Sequence, residues 1–147
     1  MKQSFKEFYL EKRVLGIEED ITIPEIGTIS AKLDTGNGGY NVLHATEIQP
    51  IGNNIIRFNT VNDIKLEKTM SEMIKINVGG GNSEDRPVVM FNVSMGSDTY
   101  KNVPFSLSDR SENAKKALIS KTFIQNDLNA LIDVAKTNNA SENEEVK

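Results

Sequence analysis

An all-β domain is what this sequence predicts, on three observations. Segments in which apolar residues alternate with polar ones recur along the chain, the period-2 signature of half-buried strands. Clusters of glycine and asparagine separate them, at Gly36-Asn37-Gly38-Gly39, Gly52-Asn53-Asn54 and Gly79-Gly80-Gly81-Asn82. Helical periodicity is rare. Short strands punctuated by such turns point to a barrel or a sandwich.

The elements follow in order. Across residues 29–34, Ile29, Ala31 and Leu33 share one face and Asp34 falls on the other. Residues 55–61 are rich in strand formers, and residues 73–78 alternate cleanly. Val89, Phe91, Val93 and Met95 mark a further strand, as do Val103, Phe105 and Leu107. Pro104 inside that segment predicts an edge strand or a bulge, because proline cannot donate to the ladder. The best helix candidate runs from about Ser111 to Ile119, with Ser111 as its cap. Leu128, Ala130, Ile132 and Val134 alternate again and close the domain. Residues 137–147 are polar and acidic, and are expected to be a disordered tail behind a single domain of residues 1–136. No internal repeat and no linker divides the chain. Asn139-Ala140-Ser141 matches a glycosylation sequon but carries no weight without a secretion signal.

Composition prunes the functions. With 147 residues, one domain is expected. The absence of cysteine excludes thiol catalysis, disulfides and cysteine-based zinc sites, and fits a cytoplasmic location. A net charge of -4 does not suit a nucleic-acid binder. No apolar run reaches the length of a membrane span. The one histidine, His44, would have to serve any Ser-His-Asp triad or any zinc site by itself. No cofactor and no metal are expected.

Asp34 is the residue that suggests chemistry. It ends a strand and opens the glycine-rich turn Leu33-Asp34-Thr35-Gly36, so a carboxylate is offered beside a backbone able to bend tightly. The plain alternative is an Asx-type turn, with Asp34 bonding its own backbone. The tripeptide alone does not decide between the two.

The surroundings add to it. Pro24-Glu25-Ile26-Gly27, Ala31-Lys32-Leu33-Asp34-Thr35-Gly36 and Leu43-His44-Ala45 resemble the opening of the retropepsin-like aspartic peptidases. Glu84-Asp85-Arg86-Pro87-Val88-Val89 resembles that family's segment after the flap. Phe105-Ser106-Leu107-Ser108-Asp109-Arg110-Ser111 resembles its Leu-x-Asp-Arg-Ser stretch, and Leu131-Ile132-Asp133-Val134 its closing strand. The blocks keep the family's order over residues 15–134. Bacterial members are often labelled ATP-dependent zinc proteases. Some accompany ATP-grasp glutamate ligases, and some relatives are thought to process glutamate tails.

The resemblance implies a closed retropepsin-like β-barrel, a single lobe with one short helix. It implies an aspartic endopeptidase in which Asp34 is catalytic, Thr35 braces a partner strand and Gly36 offers its N–H to the carboxylate. The chain carries Asp-Thr-Gly once, so a second copy must supply the other carboxylate, and a homodimer acting on a polypeptide is expected. Gly80 would lie in a flap over the substrate. His44 would be structural, bonding a nearby backbone group. Asp109 and Arg110 would each pair with other residues rather than with one another.

Two runs depart from the family. Asn37-Gly38-Gly39-Tyr40 stands where an alanine followed by Ser or Thr residues is usual. Ala117-Leu118-Ile119-Ser120-Lys121 stands in place of Leu-Leu-Gly-Arg, with Ser120 at a glycine that packs under the catalytic loop. These departures keep open a second reading, a catalytically inactive binding or structural module on the same fold.

Overall fold

A computed structural model describes residues 12–140. The chain runs through β1 (Arg13–Ile23), β2 (Gly27–Asp34), β3 (Asn41–His44), β4 (Thr46–Gly52), β5 (Ile55–Asn59), β6 (Lys65–Thr69), β7 (Glu72–Gly79), β8 (Asn82–Met95), β9 (Asp98–Ser108) and β10 (Ala117–Ser120). A short helix, α1 (Lys121–Phe123), continues as a π turn over Ile124–Leu128, and β11 (Ala130–Thr137) follows. The domain is all-β with one short helical segment, as the alternation predicts. No helix among the described residues is long and apolar enough to cross a membrane.

The main sheet has the order β11-β1-β2-β10-β3-β9-β8-β7. Its six middle strands curl back on themselves through one further pair, Thr22 of β1 with Ser94 of β8. The ring encloses the alternating apolar faces that the sequence displays. Leu15, Ile21, Leu33, Phe91, Phe105 and Ile119 are all buried inside it. Phe91 and Phe105 meet edge to face with centroids 5.8 Å apart, the arrangement their quadrupoles favour. β4, β5 and β6 form a separate small sheet that contributes Ile56 and Phe58 to the core. Its β4–β5 turn uses Asn53 and Asn54, both left-handed (φ 52° and 60°), which asparagine tolerates better than most residues.

The expected helix over residues 111–119 is not there. Residues 109–116 form turns and β10 follows. β10 lies between β2, parallel, and β3, antiparallel, so both of its edges are paired; Ala117, Ile119 and Ser120 are buried and Leu118 is half-buried. A strand of four residues with three successive apolar ones, Ala117-Leu118-Ile119, shows no alternation and is too short for its period to tell it from a helix segment. The helix begins only at Lys121.

Pro104 sits in an interior strand rather than on a sheet edge. β9 is flanked by β8 and β3; Pro104 pairs with Met90 of β8, the pairing with β3 starts only at Phe105, and the other expected feature, a bulge, is present as a register shift between Val103 and Tyr100.

The chain expected to leave the domain after residue 136 stays on it as far as Ala140. Asn139 and Ala140 are buried, and both backbone N–H groups reach the carboxylate of Glu19. The rest of the expected tail, and residues 1–11, lie outside the described residues.

Candidate active site

β2 ends at Asp34, which is half-buried and paired in register with Ser120 of β10. The turn after it is tight. Gly36 N–H donates to Asp34 Oδ1 at 3.0 Å and Asn37 N–H to the Asp34 carbonyl at 3.2 Å. The Asx turn is therefore present, through Oδ1, and among the described residues no hydrogen bond engages the other carboxylate oxygen. A Cβ built at Gly36 would sit 3.4 Å from Asp34 Oδ1, an ordinary contact. Within one chain this position does not demand glycine. Thr35 and Gly36 are both exposed.

The departing loop, residues 37–40, is anchored by the start of the helix. Lys121 N–H donates to the Asn37 carbonyl at 2.8 Å, and the Thr122 hydroxyl to the Gly38 carbonyl at 2.8 Å. Asn37 ties the loop internally through Tyr40 O and Gly39 N, each at 3.0 Å. Ser120 also has a specific role. Its hydroxyl caps α1 by accepting from Phe123 N–H at 3.2 Å, and its own N–H donates to Asn41 Oδ1 at 2.7 Å. The serine at the family's glycine position is accommodated as an N-cap, and the loop is held rather than loosened.

The opposite wall is the β7–β8 hairpin. Its two-residue tip, Gly80-Gly81, is left-handed at both positions (φ 59° and 76°), the geometry that matches hairpin twist and that glycine adopts freely. Between hairpin and loop lies a cavity of about 450 Å³, walled by Asp34, Tyr40, Ile74, Ile76, Arg86 and Arg110 among others. Ile74 and Ile76 face it because they alternate along β7. The Tyr40 hydroxyl bonds the Glu72 carboxylate at the foot of β7, joining loop to hairpin; that bond, first, raises the Tyr40 pKa from its ordinary value.

Two arginines share this wall with Asp34. Arg86 lies 3.3 Å from Glu84 through Nε, and Glu84 also accepts from the Ser108 hydroxyl at 3.2 Å. Arg110 Nε donates to the Lys115 carbonyl at 2.9 Å. Burial, then the nearby Arg86 charge, lowers the Arg110 pKa, while the Asp34 carboxylate opposes them. An arginine so placed still carries its charge at neutral pH. Asp109 does not pair with Arg110; it accepts from the Ser111 N–H and hydroxyl.

His44 bonds backbone, as expected. Its Nδ1 accepts from Arg110 N–H at 2.9 Å, which requires the neutral ring. Burial, first, lowers its pKa; Lys116 and Arg110 act in the same direction and Asp109 opposes them. Among the described residues no three His, Cys, Asp or Glu side chains are grouped as a metal site needs.

Of the residues marked out by sequence, Asp34 ends β2 and lines the cavity, Thr35 and Gly36 follow it in the exposed turn, and Gly80 stands apart at the hairpin tip. Arg86, Tyr40 and Glu72 were not marked out. The spacing Glu84-x-Arg86, two charges on one face of a strand, was the available signal for Arg86.

A family model described as "RimB-like: Retropepsin-like aspartic endopeptidase RimB" matches residues 14–143. Among solved structures, a protein of unknown function from Legionella pneumophila subsp. pneumophila str. Philadelphia 1, Lpg0085 (DUF785), is similar. It has a TM-score of 0.71 and 27% sequence identity, covering 87% of this chain and 98% of that one. No curated protein matches.

Proposed function

The chain belongs to the RimB-like family of retropepsin-like aspartic endopeptidases, and on that premise we propose that it hydrolyses peptide bonds as a homodimer in which each copy supplies one Asp34. The observation that carries this reading is the half-buried carboxylate at the end of β2, opening onto a cavity of about 450 Å³ beneath a glycine-tipped hairpin. Two carboxylates about 3 Å apart across a two-fold axis cannot both ionise, so the pair shares one proton. The ionised member takes a proton from a bound water, and the other polarises the scissile carbonyl. The proton then passes to the leaving amine.

In this reading Thr35 and Gly36, exposed in the single chain, meet the partner copy. Gly36 is then required by the partner's approach rather than by its own fold. The β7–β8 hairpin, with Gly80 at its tip, folds over the bound peptide and excludes water. Arg86 and Arg110 favour substrates with acidic side chains near the cleaved bond, since a guanidinium recognises carboxylates through aligned pairs of N–H donors. The setting is a cytoplasmic one.

The test is cleavage by purified Asp34→Asn. It should lose on the order of 10⁴-fold in kcat/KM, the upper range for an acid–base group, while keeping fold and oligomeric state. Cleavage at the parent rate would end this reading. The unusual loop of residues 37–40 motivates a second one, a binding module on the same fold. A chain that stays monomeric at high concentration and never cleaves would favour that module.

A further inference from the structure

His44 lies behind the cavity wall and holds one of the wall's residues. Its place is fixed by backbone bonds alone. Its N–H donates to the Lys116 carbonyl at 2.8 Å, its carbonyl accepts from the Thr60 hydroxyl at 2.7 Å, and it pairs with Ser108 in the sheet. The ring is left to act on the segment that follows β9. There Nδ1 accepts the Arg110 N–H at 2.9 Å.

The segment has two other holds on Arg110. Lys116 Nζ donates to the Arg110 carbonyl at 2.8 Å, and Arg110 Nε reaches the Lys115 carbonyl at 2.9 Å. Neither fixes the Arg110 N–H, which depends on His44. A protonated ring cannot accept there. Its Nδ1 becomes a donor facing another donor.

A second partner stands ready on the other side. Asp109 Oδ1 lies 3.9 Å from the same Nδ1. The Asp109 carboxylate is held below its usual range by the Ser111 hydroxyl and N–H, so it is ionised wherever an imidazole titrates. The charged groups facing His44 are thus Asp109 and Arg110 from the segment after β9, and Lys116 from the segment before β10. The ring has two arrangements: neutral and accepting from Arg110, or charged and donating to Asp109.

We propose that His44 is a positioning residue for substrate binding: its neutral ring sets Arg110 on the cavity wall, and its protonation moves the bond to Asp109 and withdraws Arg110 from the substrate. This rests on the peptidase reading, in which Arg110 meets an acidic side chain of the peptide. Burial lowers the His44 pKa, so the change falls below the ordinary imidazole value of about 6.5. Acidic peptides are held near neutral pH and released as pH falls through the His44 value.

The test measures binding of a fluorescein-labelled peptide of consecutive glutamates by anisotropy, in an Asp34→Asn background so that nothing is cleaved. From pH 7 to pH 5.5 the Kd should rise progressively as the ring begins to be charged, toward a limit of about tenfold, the size expected for misplacing one charge-assisted hydrogen bond. His44→Asn puts a non-titrating amide oxygen where Nδ1 stood; it should bind within about threefold of the parent at pH 7 and stay flat to pH 5.5. His44→Leu should bind weakly at both pH values, and Arg110→Ala should do the same. A thermal melt beside each measurement separates loss of binding from loss of fold, and His44→Asn remains decisive if His44→Leu fails to fold.

The failures are distinguishable. If His44→Asn keeps the parent's pH dependence, the His44 step is wrong and the peptidase reading stands. If Arg110→Ala binds the peptide as the parent does, Arg110 is no substrate contact and the proposal falls with it. Neither result touches Asp34, whose own test is cleavage.

Discussion

Glu19 on β1 and Asp34 on β2 are carboxylates on neighbouring paired strands, and the two regions around them use the same group in opposite ways. Glu19 is 1% exposed, and backbone donors engage both of its oxygens. Gly16 N–H reaches Oε2 at 2.6 Å, Asn139 N–H the same oxygen at 2.8 Å, and Ala140 N–H reaches Oε1 at 3.0 Å. The chain packs closely there: a Cβ at Gly16 would come within 2.4 Å of the Lys136 carbonyl, so only glycine fits. Asp34 is half-buried and has one internal bond, to Gly36 N–H. It lines a cavity whose wall also includes Arg86 and Arg110. A carboxylate whose acceptor capacity is used by the backbone is a structural clasp. One with capacity left over, in a cavity, can do chemistry.

That contrast can be broken by substitution. The largest effect is on catalysis: Asp34→Asn should lower kcat/KM on the order of 10⁴-fold and move the melting temperature by less than about 2 °C. Glu19→Ala should do the reverse. Three buried N–H groups lose their acceptor, and urea unfolding should register a loss of about 3–5 kcal/mol with normal activity per folded molecule. A loss below about 1 kcal/mol would mean that water replaces the carboxylate and that the clasp is not what holds the C-terminal segment.

Ser120→Ala sits between the two regions. Removing the cap of α1 should cost about 1 kcal/mol, and Ser120→Gly only a few tenths. If alanine also slows cleavage several-fold while glycine does not, the cap steadies the catalytic loop through Asn37 and Gly38.

The smallest effect is a slope in stability against pH. The His44 pKa is lowered in the folded chain, by burial first, so between the folded and unfolded values the unfolded state binds more protons. The stability that neutral His44 contributes is complete above about pH 6.5 and is lost as pH falls through the lowered value. His44→Asn should remove that part of the slope and leave the acid limb due to carboxylates. A slope unchanged by this substitution would place the titration elsewhere.

How much of this was legible in the sequence follows from burial. Strands with one buried face showed it in their alternation, as in β2, β8 and β9. β10 did not, because it is four residues long with three successive apolar residues, and it read as part of a helix. β4 and β6 are largely exposed and carry too few apolar residues to reveal a period. The strand end at Asp34 and the tight turn through Thr35 and Gly36 were legible because alternation stops where a glycine-rich run begins. Arg110 was noticed without a partner assigned. The clasp at Glu19 was invisible, since two of its three donors come from residues 120 and 121 positions away. Long-range pairing of a charge with backbone leaves no mark in composition or spacing.

In the proposed enzyme one Asp34 is half of a site. The most direct measurement is cleavage activity per chain across a dilution series, with the mass of the species followed by sedimentation. Activity should appear together with a species of twice the 16.3 kDa chain and vanish as that species dissociates. Full activity per chain from a species of 16.3 kDa would contradict it.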